Sequence, residues 1–96
     1  MNLLLEGPAN LFRGFEGVGG KLTLSTESLI FEPHAINIQK DEETIFLRDI
    51  TSVEKTNTLG IIPNGLKVTT EQQEYKFVVK RRNQWIEKIH QQINVI

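Results

Sequence analysis

Three glycines and a lysine in FEGVGGKL, residues 15–22, resemble a phosphate-cradling loop. That loop needs a glycine, four residues and then Gly-Lys-Ser/Thr, so that backbone N–H groups wrap the phosphates and the hydroxyl reaches magnesium. Phe15 stands at the first position and Leu22 at the last, so the hydroxyl is missing. A dinucleotide fingerprint fails as well, because Gly17-x-Gly19 is followed three residues later by Leu22. The residues after Lys21 alternate like a strand, where glycines permit bulges and bends. His34 and His90 lie far apart, and neither has a second ligand three or four residues on. A zinc site needs three or four ligands, so both read as surface or boundary residues. Asp41-Glu42-Glu43 lacks the pattern of an oxygen-ligand loop and reads as a solvated turn. The absence of cysteine excludes disulfides, thiolate metal sites and thiol nucleophiles. No set of residues supports a Ser-His-Asp order. The expectation is a protein that is not an enzyme and takes no cofactor and no metal.

Two other segments suggest contact chemistry. Lys80, Arg81 and Arg82 are contiguous, with Lys76 and Lys88 nearby in the chain. Such a cluster attracts phosphate groups, at roughly 1 kcal/mol per basic residue beside an anionic bilayer. The plainer reading is a solvated junction, which is what most charge runs are. The second segment is LGIIPNGL, 59–66. The connections STES, QKDEET and TEQQE are polar, but here Leu59, Ile61 and Ile62 run into Pro63-Asn64-Gly65. Those last three residues suit a turn, with a strand beginning at Leu66. Either the aliphatics fold back onto the core, or they touch something outside. A small chain needs most of its aliphatics for the core, which favours the first. Both hold together if one residue turns in and another out.

The elements that position these segments follow from size and periodicity. Ninety-six residues make one domain with a single small core. A charged fraction of 24% with a net charge of −1 argues against nucleic-acid binding, which favours a basic excess. The N-terminal MNLLLEGPANLF has no basic flank and only a three-leucine apolar run, so a signal peptide is not expected. No stretch reaches the roughly 18 apolar residues of a membrane-spanning helix, and a cytoplasmic location is expected. Alternation marks a hairpin at 20–33, turning at Ser25 to Ser28, whose hydroxyl and carboxylate groups bond nearby backbone. Short strands are expected at 35–39 and 44–47. A turn near 49–53 leads into a strand at about 52–57, and a second hairpin pairs 66–70 with 75–79. Glycines 14, 17, 19 and 20 would supply bulges and barrel corners. Trp85, Ile86, Ile89 and Ile93 then form the stripe of an amphipathic helix, with Asn83 as its cap.

GKLTLSTESLIF, from Gly20 to Phe31, resembles the GxLxLTxxxLIF hairpin of GRAM domains, which have the pleckstrin-homology (PH) superfold. Ser25 stands where that family often has threonine. LRDITSV at 47–53 is similar to the family's L-x-D-I-x-x-V. PNGLKV at 63–68 with YKFVV at 75–79 resembles its second hairpin, and WIEKI at 85–89 its closing helix. The likeness runs in order over about residues 9–92. It implies a mainly β fold: a PH-like bent barrel of two antiparallel sheets, about seven strands, capped by one C-terminal α-helix. It implies no catalysis, and binding to membrane lipids, phosphoinositides in some members, or to proteins. In phosphoinositide binders the first inter-strand loop carries paired Lys/Arg. Here 13–21, RGFEGVGGK, offers Arg13 and Lys21 against Glu16. A multiply phosphorylated headgroup needs several charge-assisted contacts, so that loop is a poor candidate. The expected contact residues are instead Leu59, Ile61, Ile62, Lys80, Arg81 and Arg82, meeting an anionic membrane surface peripherally. The alternative is a protein partner, or a homo-oligomer formed through the same loop or an open strand edge.

Overall fold

The computed structural model describes residues 3–34 and 41–95. Seven strands run β1 (Leu3–Arg13), β2 (Glu16–Ser25), β3 (Ser28–Pro33), β4 (Glu43–Phe46), β5 (Ile50–Thr58), β6 (Ile62–Thr70) and β7 (Glu74–Val79). A 3-10 turn, Leu47–Asp49, precedes β5, and one helix, α1 (Arg82–Ile93), closes the chain. Every strand pairing is antiparallel. The two expected sheets are halves of one continuous curled sheet of order β4-β3-β2-β1-β7-β6-β5. The halves join through the short pairing of Ala9, Asn10 and Leu11 on β1 with Val79, Val78 and Phe77 on β7.

Alternation decides which face is buried. Leu22 and Leu24, Leu29 and Phe31, Leu66 and Val68, and Phe77 and Val79 all turn into the core. Fully burying each such side chain contributes roughly 1.5–3 kcal/mol. Phe31 and Phe77 come from different halves of the sheet and meet with ring centroids 6.1 Å apart at a tilt of 50°. Trp85 and Ile89 complete this core from α1, with Ile86 and Ile93 packed at its margin. The helix thus closes one side of the curled sheet, against β5, β6, β1 and the 3-10 turn.

Turn chemistry follows the side chains. The Glu27 and Ser28 amides donate to Ser25 Oγ at 3.3 and 3.1 Å. The Gln72 and Gln73 amides donate to Thr70 Oγ1 at 3.2 Å. Several expectations are corrected. β1 was not foreseen as a strand, although it is the hinge between the two halves of the sheet. The turn expected at 49–53 falls at Leu47–Asp49, so β5 begins at Ile50. The expected strand 44–47 runs from Glu43 to Phe46. The strand expected at 35–39 lies outside the described residues. Asn83 does not cap α1: the cap is Arg81, whose side chain makes no capping bond. The glycines of β2 make no bulge, since the pairing with β1 is regular from Leu5↔Leu24 to Arg13↔Glu16. Gly20 instead permits close approach: a Cβ there would sit 2.8 Å from Phe31 Cζ and 2.9 Å from Pro33 Cα.

Candidate functional site

The aliphatic segment is the tip of the β5–β6 hairpin. Thr58 pairs with Ile62, and Leu59-Gly60-Ile61 makes the turn. The Ile61 amide donates to Thr58 O at 3.2 Å, and Leu59 and Gly60 both take positive φ, 55° and 77°. This is the primed geometry whose twist suits a hairpin, and it normally selects Asn-Gly. The turn is therefore not Pro63-Asn64-Gly65, which lies inside β6. The register shifts between Thr56↔Gly65 and Thr58↔Ile62, so Pro63 and Asn64 form a bulge opposite Asn57. Pairing of β6 with β7 stops at Gly65↔Val78, so the missing N–H of Pro63 breaks no ladder bond. Thr58 Oγ1 donates to Asn64 Oδ1 at 2.5 Å and ties the bulge to the facing strand.

The fold-back reading of this segment is overturned. Leu59 is 86% exposed, Ile61 78% and Ile62 43%, and none belongs to the core. The core closes without them, with Trp85 and Ile89 of α1 among its members.

The basic segment is the junction between β7 and α1. Lys80 and Arg81 are exposed and Arg82 is half-buried. Arg82 Nη1 donates to Thr56 O at 2.8 Å and to Asn57 Oδ1 at 3.5 Å. These bonds bring the two sequence-distant segments side by side. Pro63 and Asn64 line one open groove of about 490 Å³ with Lys80, Arg81 and Arg82, and Pro8 and Asn10 of β1 form its other wall. Leu59 lines a neighbouring groove of about 300 Å³ with Phe12 and Lys76. Arg81 adopts φ 58°, and Leu59 and Arg81 are the non-glycine residues with positive φ among the described residues. Strain of this kind concentrates at functional sites.

The other candidate residues are accounted for locally. The β1–β2 connection is only Gly14-Phe15, not a loop over 13–21. Arg13 Nη2 donates to Asp41 O at 2.8 Å and lies 3.4 Å from Glu43 Oε2. Lys21 Nζ pairs with Glu6 at 3.1 Å and Glu32 at 3.8 Å. Its pKa is raised, first by the hydrogen bond and charge of Glu6, then by Glu32. Both basic residues of this region are thus engaged by carboxylates. His34 and His90 are exposed, and among the described residues no group of three or more His, Asp or Glu is placed to hold a metal ion. The sequence reading missed the exposed aromatics: Phe15 stands fully exposed at the β1–β2 tip, and Arg48 lies 5.2 Å above the ring of Phe46. Phe15 gives no signal beyond its neighbour Gly14, since one aromatic has no periodicity.

A family model, GRAM domain, matches residues 9–95. The chain belongs to the GRAM domain family. Solved structures agree on the fold of this GRAM domain. The crystal structure of the C-terminal domain of an unknown protein from Leishmania infantum superposes with a TM-score of 0.82 at 17% identity, covering 96% of this chain and 84% of that one. The solution structure of the human ARAP2 N-terminal PH domain gives 0.78 at 16% identity, covering 95% and 79%. The linker-DH/PH crystal structure of p115-RhoGEF gives 0.80 at 14% identity, with 99% of this chain matching 30% of that longer one. Identities this low show the fold alone, which is PH-like. A search of curated proteins finds no match. GRAM and PH-like domains are generally binding modules, for lipids or for proteins. Among the described residues no helix is long and apolar enough to cross a membrane.

Proposed function

We propose that this GRAM domain is a non-catalytic module that meets an anionic membrane surface through Leu59, Ile61 and Ile62, with Lys80, Arg81 and Arg82 beside them. One observation carries the reading: Leu59 is held in the left-handed region and yet displayed to solvent. A leucine in that conformation costs roughly 1–2 kcal/mol. Asparagine or glycine would satisfy the turn without that cost, and the exposed side chain returns nothing to the core. An aliphatic tip that enters the acyl boundary explains why leucine stands there. Each methylene buried in the bilayer contributes about 0.8 kcal/mol. Each cation near an anionic surface adds about 1 kcal/mol. The sum fits reversible, peripheral association of a cytoplasmic protein with the anionic leaflet.

The test is co-sedimentation with phosphatidylcholine vesicles, with and without phosphatidylserine, at low and high salt. Wild type is compared with an Ile61→Ser/Ile62→Ser double variant. Binding that needs the anionic lipid, weakens with salt and falls in the folded double variant is expected. No binding in any condition would sink the proposal and leave the tip to a protein partner or a second copy of this chain.

A further inference from the structure

The β5–β6 hairpin outruns the rest of its sheet. Pairing of β6 with β7 stops at Gly65↔Val78, whereas β5 and β6 pair on to Thr58↔Ile62. β5 is also an edge strand, so past Gly65 the hairpin has no third strand among the described residues. Two strands alone are marginally stable in water. The Thr58–Asn64 bond lies within the hairpin and anchors it to nothing else. We infer that Arg82 is the positioning residue of the aliphatic tip. It ties the hairpin end to α1, and it acts on the membrane contact through Leu59 and Ile61 rather than as a third contact cation. This inference rests on the membrane reading above and divides the roles within its basic segment.

The bonds of Arg82 reach the root of the turn. Its Nη1 crosses from the first residue of α1 to Thr56 O at 2.8 Å and Asn57 Oδ1 at 3.5 Å. Among the described residues, these are the side-chain hydrogen bonds that join residues 56–64 to an element outside the hairpin. The carbonyl of Asn57 accepts from the Gly60 amide at 3.3 Å, and that of Thr58 accepts from the Ile61 amide at 3.2 Å. The guanidinium thus grips the chain beside the two bonds that close the turn around Leu59, at φ 55°.

The place of Arg82 in α1 points the same way. A cation in the first turn opposes the helix dipole, and no acidic residue in that turn offsets it. A local rule broken in this manner marks a functional constraint. Lys80 and Arg81 are exposed, but Arg82 is half-buried with its guanidinium on β5. Lysine would keep the charge and lose the tie, because its ammonium ends one bond short of Nη1 and is more strongly hydrated.

The experiment separates the tie from the charge. Backbone ¹⁵N relaxation in solution reads the tip, and co-sedimentation with phosphatidylcholine–phosphatidylserine vesicles reads the contact. Wild type should hold Gly60 and Ile61 near the order parameter of rigid backbone, about 0.85. Arg82→Lys should drop both below about 0.6, the flexible range, with Leu66 and Phe77 unchanged. A tip that keeps its displayed shape about a fifth of the time binds about fivefold more weakly, and a loss of that order is expected although the charge is kept. Asn57→Ala removes one acceptor and no charge, and should move both readouts in the same direction. Lys80→Gln/Arg81→Gln should split them the other way, with weaker and less salt-dependent binding from a tip that stays rigid. Arg82→Lys with wild-type binding, or with a rigid tip, overturns the inference and leaves the membrane reading intact. A tip loosened by Lys80→Gln/Arg81→Gln overturns it as well. No vesicle binding by wild type overturns the membrane reading and the positioning role with it; a tip that still loosens in Arg82→Lys then upholds the tie alone.

Discussion

Leu59→Asn should make the domain more stable and bind membranes less. The backbone of Leu59 sits at φ 55° and its side chain is almost wholly in solvent. Asparagine is enriched in this region because its short polar side chain bonds locally. Recovering about half of a 1–2 kcal/mol left-handed penalty gives a gain of about 0.5–1 kcal/mol. For a domain of this size each kcal/mol moves the melting point by about 5 °C, so a rise of roughly 2–5 °C is expected. The membrane term runs the other way. Fully burying a leucine contributes about 1.5–3 kcal/mol, so vesicle partitioning should fall about tenfold or more. Urea unfolding followed by circular dichroism reads the first quantity, with an unchanged slope confirming the same unfolded state. Co-sedimentation reads the second. A loss of stability would mean that Leu59 packs against the domain in solution. A gain in stability with unchanged partitioning would mean that the tip stays outside the bilayer.

Two further substitutions test the frame that holds the site. Trp85→Ala removes the anchor of α1, whose ring lies over Gly7, and should cost about 3–5 kcal/mol in urea melts; a loss under about 1 kcal/mol would show that helix docking does not depend on it. Gly20→Ala should cost about 1–3 kcal/mol, because the added methyl meets the Phe31 ring and the backbone of β3, and a neutral result in the same melt would contradict that contact.

The sequence was most legible where one face of an element is buried. Leu22, Leu24, Leu29 and Phe31 alternate cleanly because β2 and β3 each have one wet side, and the Trp85 and Ile89 stripe reads as a helix for the same reason. β1 was hidden because its start, Leu3 to Leu5, is apolar without alternation, and Glu6-Gly7-Pro8 interrupts it. The turn at Leu59-Gly60 was hidden by a stronger decoy. Pro63-Asn64-Gly65 has every turn residue, yet register and the Thr58–Asn64 bond make it a bulge, and neither can be seen from spacing. The six contact residues were picked from the sequence for hydrophobicity and charge. Their adjacency depends on Arg82 reaching across to Thr56, a contact between residues 26 positions apart.

The three-pair seam between β1 and β7 sets a timetable as well as a shape. Early-to-late pairing of this kind joins Ala9 to Val79, across most of the chain. During synthesis Leu11 has no partner across that seam until β7 has been made, and Trp85 follows only after it. Sheets closed by such distant pairs fold in milliseconds to seconds rather than microseconds. The β5–β6–β7 meander can assemble from neighbours in sequence, while the surface that joins it to β1 has to await that distant pairing. The groove walled by Pro8 and Asn10 on one side and Asn64 and Arg82 on the other therefore exists only in the finished domain, so any ligand held there reports, and by mass action favours, complete folding.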